Sequence, residues 1–125
     1  MREVISTDDA PSAVGAYSQA IATADRVFTA GQIPATPDGD VLADAPIDEQ
    51  AAQAIDNLAA VLEAADSGLD ALLDVTIYLG DIDDFEAVDA VYADRVGDRP
   101  PARSAVAVDD LPKGVDIEIE AIAQR

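Results

Sequence analysis

The chain has no cysteine, no histidine and a single lysine, Lys113. Without cysteine there is no disulfide framework, no thiolate nucleophile and no thiolate metal ligand. Without histidine the commonest general base and the commonest transition-metal ligand are missing. Histidine-based triads and zinc-hydrolase chemistry are therefore excluded. No apolar run reaches the length of a membrane span, and the N-terminal residues lack the basic-then-apolar build of a signal peptide. A cytoplasmic protein with no membrane partner is expected. No basic stripe exists to displace counterions from a phosphate backbone, which disfavours nucleic acid.

Acid is what the chain has in excess. Asp and Glu number 26 against seven Lys and Arg, for a formal net charge of −19. The acids run through both halves instead of gathering in a tail, and 20 of them are aspartate. Such a surface repels itself at ordinary ionic strength. In molar salt the screening length shrinks to about 3 Å and the repulsion largely vanishes. The distribution points to adaptation to a salt-rich cytoplasm; an acidic docking surface would cluster its charge. With 125 residues, half of them apolar, one compact domain over residues 1–125 can bury a core.

Periodicity supplies the elements. Val4–Thr7, Val14–Ala22 and Arg26–Gly31 read as strands, the last two joined by a tight polar connection. Pro37-Asp38-Gly39-Asp40 is a turn. A helix begins at Pro46, with Ile47, Ala51, Ala54, Ile55, Leu58, Val61, Leu62 and Ala65 on one face, and should stop near Ser67-Gly68. Leu72–Leu79 suits a central strand. Asp83 and Glu86 form a capping-box-like pair opening a second helix that buries Phe85, Val88, Val91 and Tyr92. The alternative for Asp81–Glu86, a calcium loop, lacks the required glycine and distal glutamate. A strand through Arg103 and a closing strand from Val115 to Ala123 complete the order. In the closing strand Ile117, Ile119 and Ala121 share one face, and Glu118, Glu120 and Ile122 the other. The expected fold class is α+β, with two helices covering one face of a mixed sheet. The other face must then be polar or meet a second subunit, so self-association is expected.

Arg103 is the first candidate for chemistry. It stands between a Pro-Pro turn and a strand of small residues, where a guanidinium can grip a carboxylate with two parallel hydrogen bonds. Its bland alternative is to neutralise one of the many nearby acids. Gly31 either takes a positive φ at the end of its strand or lets a ligand approach the backbone.

Several motifs agree in order along almost the whole chain: Gly15-x-Tyr17-Ser18-Gln19-Ala20, Gly31-Gln32-Ile33-Pro34, Asp56-Asn57-Leu58, Pro101-Ala102-Arg103-Ser104, Leu111-Pro112-Lys113 and Ile117-Glu118-Ile119-Glu120-Ala121-Ile122-Ala123. Together they resemble the RidA proteins, the reactive-imine deaminases. The resemblance implies a chorismate-mutase-like (ferredoxin-like) fold, assembled as a homotrimer with a ligand cleft between subunits. It implies hydrolysis of 2-imino acids such as 2-iminobutanoate and 2-iminopropanoate to 2-oxo acids and ammonia, with no metal or organic cofactor. Carried over by position, Arg103 clamps the substrate carboxylate with help from the Gly31 N–H, and Tyr17 borders the ligand. Glu118 positions water and exchanges protons, and the Ala105 backbone adds a polar contact. The bland alternatives are packing for Tyr17, an interface ion pair for Glu118 and a mere turn for Gly31. Ala30 takes a substrate-binding position near the carboxylate where serine is common; Ala105 stands where many members have cysteine, and Asp66 where glycine is usual. A non-catalytic trimer that binds metabolites or protects other proteins is the alternative function; it would use Arg103 but have no need of Glu118.

Overall fold

The computed structural model describes residues 1–125 and contains six strands and two helices. In chain order these are β1 (Glu3–Ile5), β2 (Ala20–Ala22), β3 (Arg26–Thr29), α1 (Ile47–Ala64), β4 (Leu72–Leu79), α2 (Phe85–Val96), β5 (Ala102–Ala107) and β6 (Ile117–Gln124). They form one sheet in the order β1-β2-β3-β6-β4-β5. Only β4 and β5 run parallel; every other pairing is antiparallel. The mixed α+β sheet with its two helices is the expected architecture. No helix is long and apolar enough to cross a membrane.

Helix α1 follows its apolar spacing. Ala51, Ala54, Ile55, Leu58, Val61 and Leu62 are all buried, and they join Val75, Ile77, Leu79, Ile117 and Ile119 of the sheet in one core. Each fully buried branched side chain contributes about 1.5–3 kcal/mol relative to exposure. Asp48 and Glu49 lie in the first turn, at the positive end of the helix dipole. The helix ends at Ala64, a few residues before the expected stop. The chain then reverses at Asp66, whose φ is +61°. That left-handed geometry is the reason glycine suits this position.

Register sorts the sheet residues onto two faces. Along β6 burial alternates strictly, with Ile117, Ile119, Ala121 and Ala123 inward. Glu118, Glu120 and Ile122 point the other way, as expected. Tyr78 pairs with Glu118, Phe28 with Ile122, Ile21 with Phe28 and Val4 with Ile21. These residues share the face that no helix covers. Phe28 is 43 % exposed there, Val106 42 % and Val4 62 %.

Two local expectations are corrected. The strand anticipated over 14–22 is confined to Ala20–Ala22. Gly15 sits at φ +112°, and the Val14 N–H donates to the Tyr17 hydroxyl at 3.3 Å, so this stretch turns on itself instead of pairing. The cap before α2 also differs. The Asp81 carboxylate accepts from the Asp83 N–H at 2.9 Å, opening a 3₁₀ turn over Ile82–Asp84. Asp84 holds the cap position of α2 with no side-chain bond. The turn closes through Asp84 N–H to the Asp81 carbonyl at 3.1 Å, so the capping role falls two residues before Asp83.

Candidate active site

A cleft of about 640 Å³ opens beside the N-terminal part of β6. Tyr17, Ala30, Gly31, Lys113 and Glu118 line it, so four of the six expected site residues share one depression. Three buried amide side chains hold its walls. Gln19 bonds the carbonyls of Thr7 (3.1 Å) and Pro11 (2.8 Å) and accepts from the Thr7 N–H (2.7 Å). Asn57 reaches from α1 to the carbonyls of Ile33 (3.0 Å) and Ala35 (2.7 Å). Gln50 similarly ties α1 to Asp116, accepting its N–H and donating to its carboxylate, both at 2.9 Å. Backbone bonds then lock Gln32 to Ile119 in both directions, at 2.7 and 3.0 Å. Fully satisfied buried amides of this kind fix one loop conformation, because any other strands polar groups away from water. Sequence reasoning missed these amides as structural parts. The signal was there for Asn57 and Gln50, polar residues within the buried face of an amphipathic helix.

Gly31 has an ordinary φ, so neither a left-handed turn nor conformational freedom explains it. Space does. A Cβ built on Gly31 would lie 1.9 Å from Glu118 Oε2 and 2.7 Å from its Cδ. The carboxylate of Glu118 therefore rests directly on the glycine backbone. Burial, reinforced by the neighbouring Glu120, pushes the Glu118 carboxyl above the ordinary carboxylate range. Its oxygens accept no hydrogen bond within the chain, whereas Glu120 accepts the Tyr78 hydroxyl at 2.6 Å. Two adjacent carboxylates on one face thus differ in kind, one tied off and one free to handle a proton. Tyr17 is 53 % exposed at the rim, which speaks against a packing role within the protomer.

Arg103 lies elsewhere. On β5 it pairs with Val75, which also pairs with Ala121, so it belongs to the helix-covered face. Glu118 belongs to the open face, and β4 separates their two strands. The two side chains therefore leave opposite faces of the protomer from strands that are not neighbours, and alternation of side chains with the intervening strand forbids a shared crevice within a single copy. Arg103 instead reaches α2. Its Nη1 donates to Asp89 Oδ1 at 2.5 Å, so pairing with a nearby acid does occur. Its guanidinium carbon lies 5.2 Å from the Phe85 ring centre and 5.0 Å from that of Tyr92. A second cleft of about 380 Å³ opens there, lined by Asp89, Tyr92, Pro101 and Arg103. Ala105 packs its methyl against the core and lines neither cleft. Its strand is the sheet edge, so backbone groups on the outer side of β5 have no partner in the chain.

Comparison with known proteins decides the family. Residues 7–125 match the model of the family described as endoribonuclease L-PSP. A RutC family protein of Pyrococcus horikoshii is 46 % identical over 125 residues, spanning 100 % of this chain and 99 % of the relative. The 2-iminobutanoate/2-iminopropanoate deaminase of Rattus norvegicus is 42 % identical over 123 residues, 98 % of this chain and 90 % of the relative. The chain belongs to this RidA-type family. Among solved structures, Escherichia coli TdcF with bound serine superposes with a TM-score of 0.92 at 37 % identity, covering 98 % of each chain. In this RidA-family protein the departures noted above are now placed. Ala30 lines the large cleft without a hydroxyl to offer, while Ala105 presents only a methyl to the core.

Proposed function

We propose that this protein hydrolyses small 2-imino acids to 2-oxo acids and ammonia, in a homotrimer whose sites each draw on two copies of the chain. The observation that carries the chemistry is Glu118, a half-buried carboxylate free of internal partners, seated on the Gly31 backbone with its proton affinity raised. A general base works best when its pKa approaches the working pH, and burial moves Glu118 in that direction. The deaminase name carried by relatives about 40 % identical supports the substrate class.

The protonated imine needs little activation. Glu118 takes a proton from water as the oxygen adds to C2, giving a carbinolamine. The same carboxyl returns the proton to nitrogen, the C–N bond breaks with loss of ammonia, and the regenerated Glu118 carboxylate takes the hydroxyl proton as the carbonyl forms, passing it on to the released ammonia or solvent. Arg103 holds the substrate carboxylate by charge-assisted bonds from its free edge, the Gly31 N–H adds a donor, Tyr17 borders the ligand and the β5 backbone near Ala105 contacts the water or nitrogen. Because Arg103 and Glu118 occupy opposite faces of a protomer, one ligand can meet both only across a contact between copies. The uncovered face, with Phe28, Val106 and Val4 exposed, supplies apolar surface for that contact.

The test is ammonia release from a 2-amino acid treated with an amino-acid oxidase or dehydratase, in concentrated salt, with and without the protein. Faster release with wild type and none above background with Glu118→Gln is the expected result. Release no faster with wild type than without the protein would favour the non-catalytic metabolite-binding or protein-protecting alternative, and equal acceleration by both proteins would remove Glu118 from the chemistry. An RNA substrate is disfavoured by a net charge of −19, which opposes a phosphate backbone.

A further inference from the structure

We infer that Asp89 is a positioning residue for Arg103, fixing the direction of the guanidinium and restraining its grip on a carboxylate. The inference rests on Arg103 as the carboxylate clamp. Three contacts from one helix define the pose of this side chain. Asp89 on α2 takes Nη1 at 2.5 Å, and the rings of Phe85 and Tyr92 lie 5.2 and 5.0 Å from the guanidinium carbon. Phe85, Asp89 and Tyr92 are spaced at i, i+4 and i+7, so they lie along one stripe of α2. The stripe faces the edge strand that carries Arg103.

Arginine has five N–H donors in a planar fork. Asp89 occupies only Nη1, while Nε and Nη2 donate to nothing within the chain. Those two nitrogens form the side of the fork suited to a bidentate carboxylate. An Nη1 pinned by Asp89, with aromatic rings alongside, leaves that pair of donors unpartnered in a fixed plane beside the cleft that Arg103 lines. Without the pin, a guanidinium on a four-bond tether can rotate, and a clamp in the wrong plane loses bidentate geometry.

The same contact has an electrostatic consequence. A ligand carboxylate on the far side of the fork meets a cation already partnered by an anion, and the two anions repel. Asp89 is 44 % exposed and Arg103 24 % exposed in their side chains, so solvent screens the effect and its size is modest. Substituting asparagine for Asp89 keeps an oxygen acceptor for Nη1 and removes the charge. Substituting alanine removes both. Positioning and neutralisation are thereby separable.

The experiment measures 2-oxobutanoate affinity by calorimetry, and kcat and KM for imine hydrolysis, in molar salt. Wild type, Asp89→Asn, Asp89→Ala and Arg103→Ala are compared after each is checked for an unchanged circular dichroism spectrum and sedimentation. Asp89→Asn is expected to bind 2-oxobutanoate about threefold more tightly, the result of deleting one screened repulsion. Asp89→Ala is expected to lose about tenfold or more in kcat/KM, because the clamp is no longer aligned. The recovery from Ala to Asn is the signature of positioning. An Asp89→Asn affinity equal to or weaker than wild type, or an Asp89→Ala variant as active as Asp89→Asn, would overturn the inference. Undiminished binding by Arg103→Ala would instead remove the clamp itself, which distinguishes the two failures.

Discussion

Gly31→Ala isolates the contact on which the proposed chemistry depends. The new methyl carbon would sit 1.9 Å from Glu118 Oε2, 2.7 Å from Cδ and 3.0 Å from Cγ. Ordinary contact needs about 3.4 Å or more, so the carboxylate must withdraw by roughly 1.5 Å. The obstacle is the end of a flexible side chain, and a changed rotamer relieves it at about 0.5–1.5 kcal/mol. For a chain of this length that lowers Tm by roughly 2–6 °C. Activity should suffer far more, because a misplacement of about 1 Å at a reacting group costs on the order of 100-fold. Paired melting curves and imine-hydrolysis rates provide the check. The decisive control is Gly31→Ala combined with Glu118→Ala, which removes the clashing carboxylate. Its stability should recover while activity stays absent. Full activity in Gly31→Ala at a normal Tm would refute the reasoning, since the carboxylate position would then be irrelevant to turnover.

Further outcomes follow from the same geometry. Glu118→Gln should reduce kcat by about 100-fold or more while changing 2-oxobutanoate affinity much less, as expected for a proton-transfer group. It should also melt higher than wild type at neutral pH. The Glu118 pKa is raised by burial, so the protonated form suits the fold, and wild type loses stability as pH rises from the unfolded carboxyl range through the folded pKa. The gain from glutamine should therefore disappear at pH values below the unfolded pKa. Asp66→Gly relieves a left-handed φ of +61° and gives up only a 3.9 Å pairing with Arg125 made by a carboxylate 86 % exposed. A gain of about 0.5–1 kcal/mol is expected in thermal or denaturant unfolding. A trimer would carry 3 × −19 = −57 formal charges, so sedimentation should show the assembly in molar salt and its dissociation in dilute buffer. An assembly intact in both would contradict salt adaptation.

Periodic elements were legible in the sequence. The buried face of α1 and the alternation of β6 were read correctly because each is repeated over many residues and dictated by one solvent boundary. Non-periodic features were not. The stretch 14–19 looks like a strand by composition, yet Gly15 takes a positive φ and the Val14 N–H finds the Tyr17 hydroxyl, so the backbone turns on itself. Gly31 was singled out, but the reason for it lies 87 residues away in Glu118, and no local pattern contains that. That Arg103 and Glu118 lie on opposite faces was not legible, for a topological reason. Which strand lies between two others depends on crossovers, and β4 enters between β5 and β6 only in three dimensions. Residue identity marked the chemistry; the face each residue occupies required the sheet.

The most direct measurement mixes two inactive proteins. Arg103→Ala and Glu118→Gln subunits are combined in equal amounts, dissociated in dilute buffer and reassembled in molar salt. If each site takes its guanidinium from one copy and its carboxylate from the next, about a quarter of the sites in randomly mixed trimers are intact. Imine hydrolysis should then return to about a quarter of the wild-type rate. Mixed assemblies that form but remain inactive would contradict a site shared between copies.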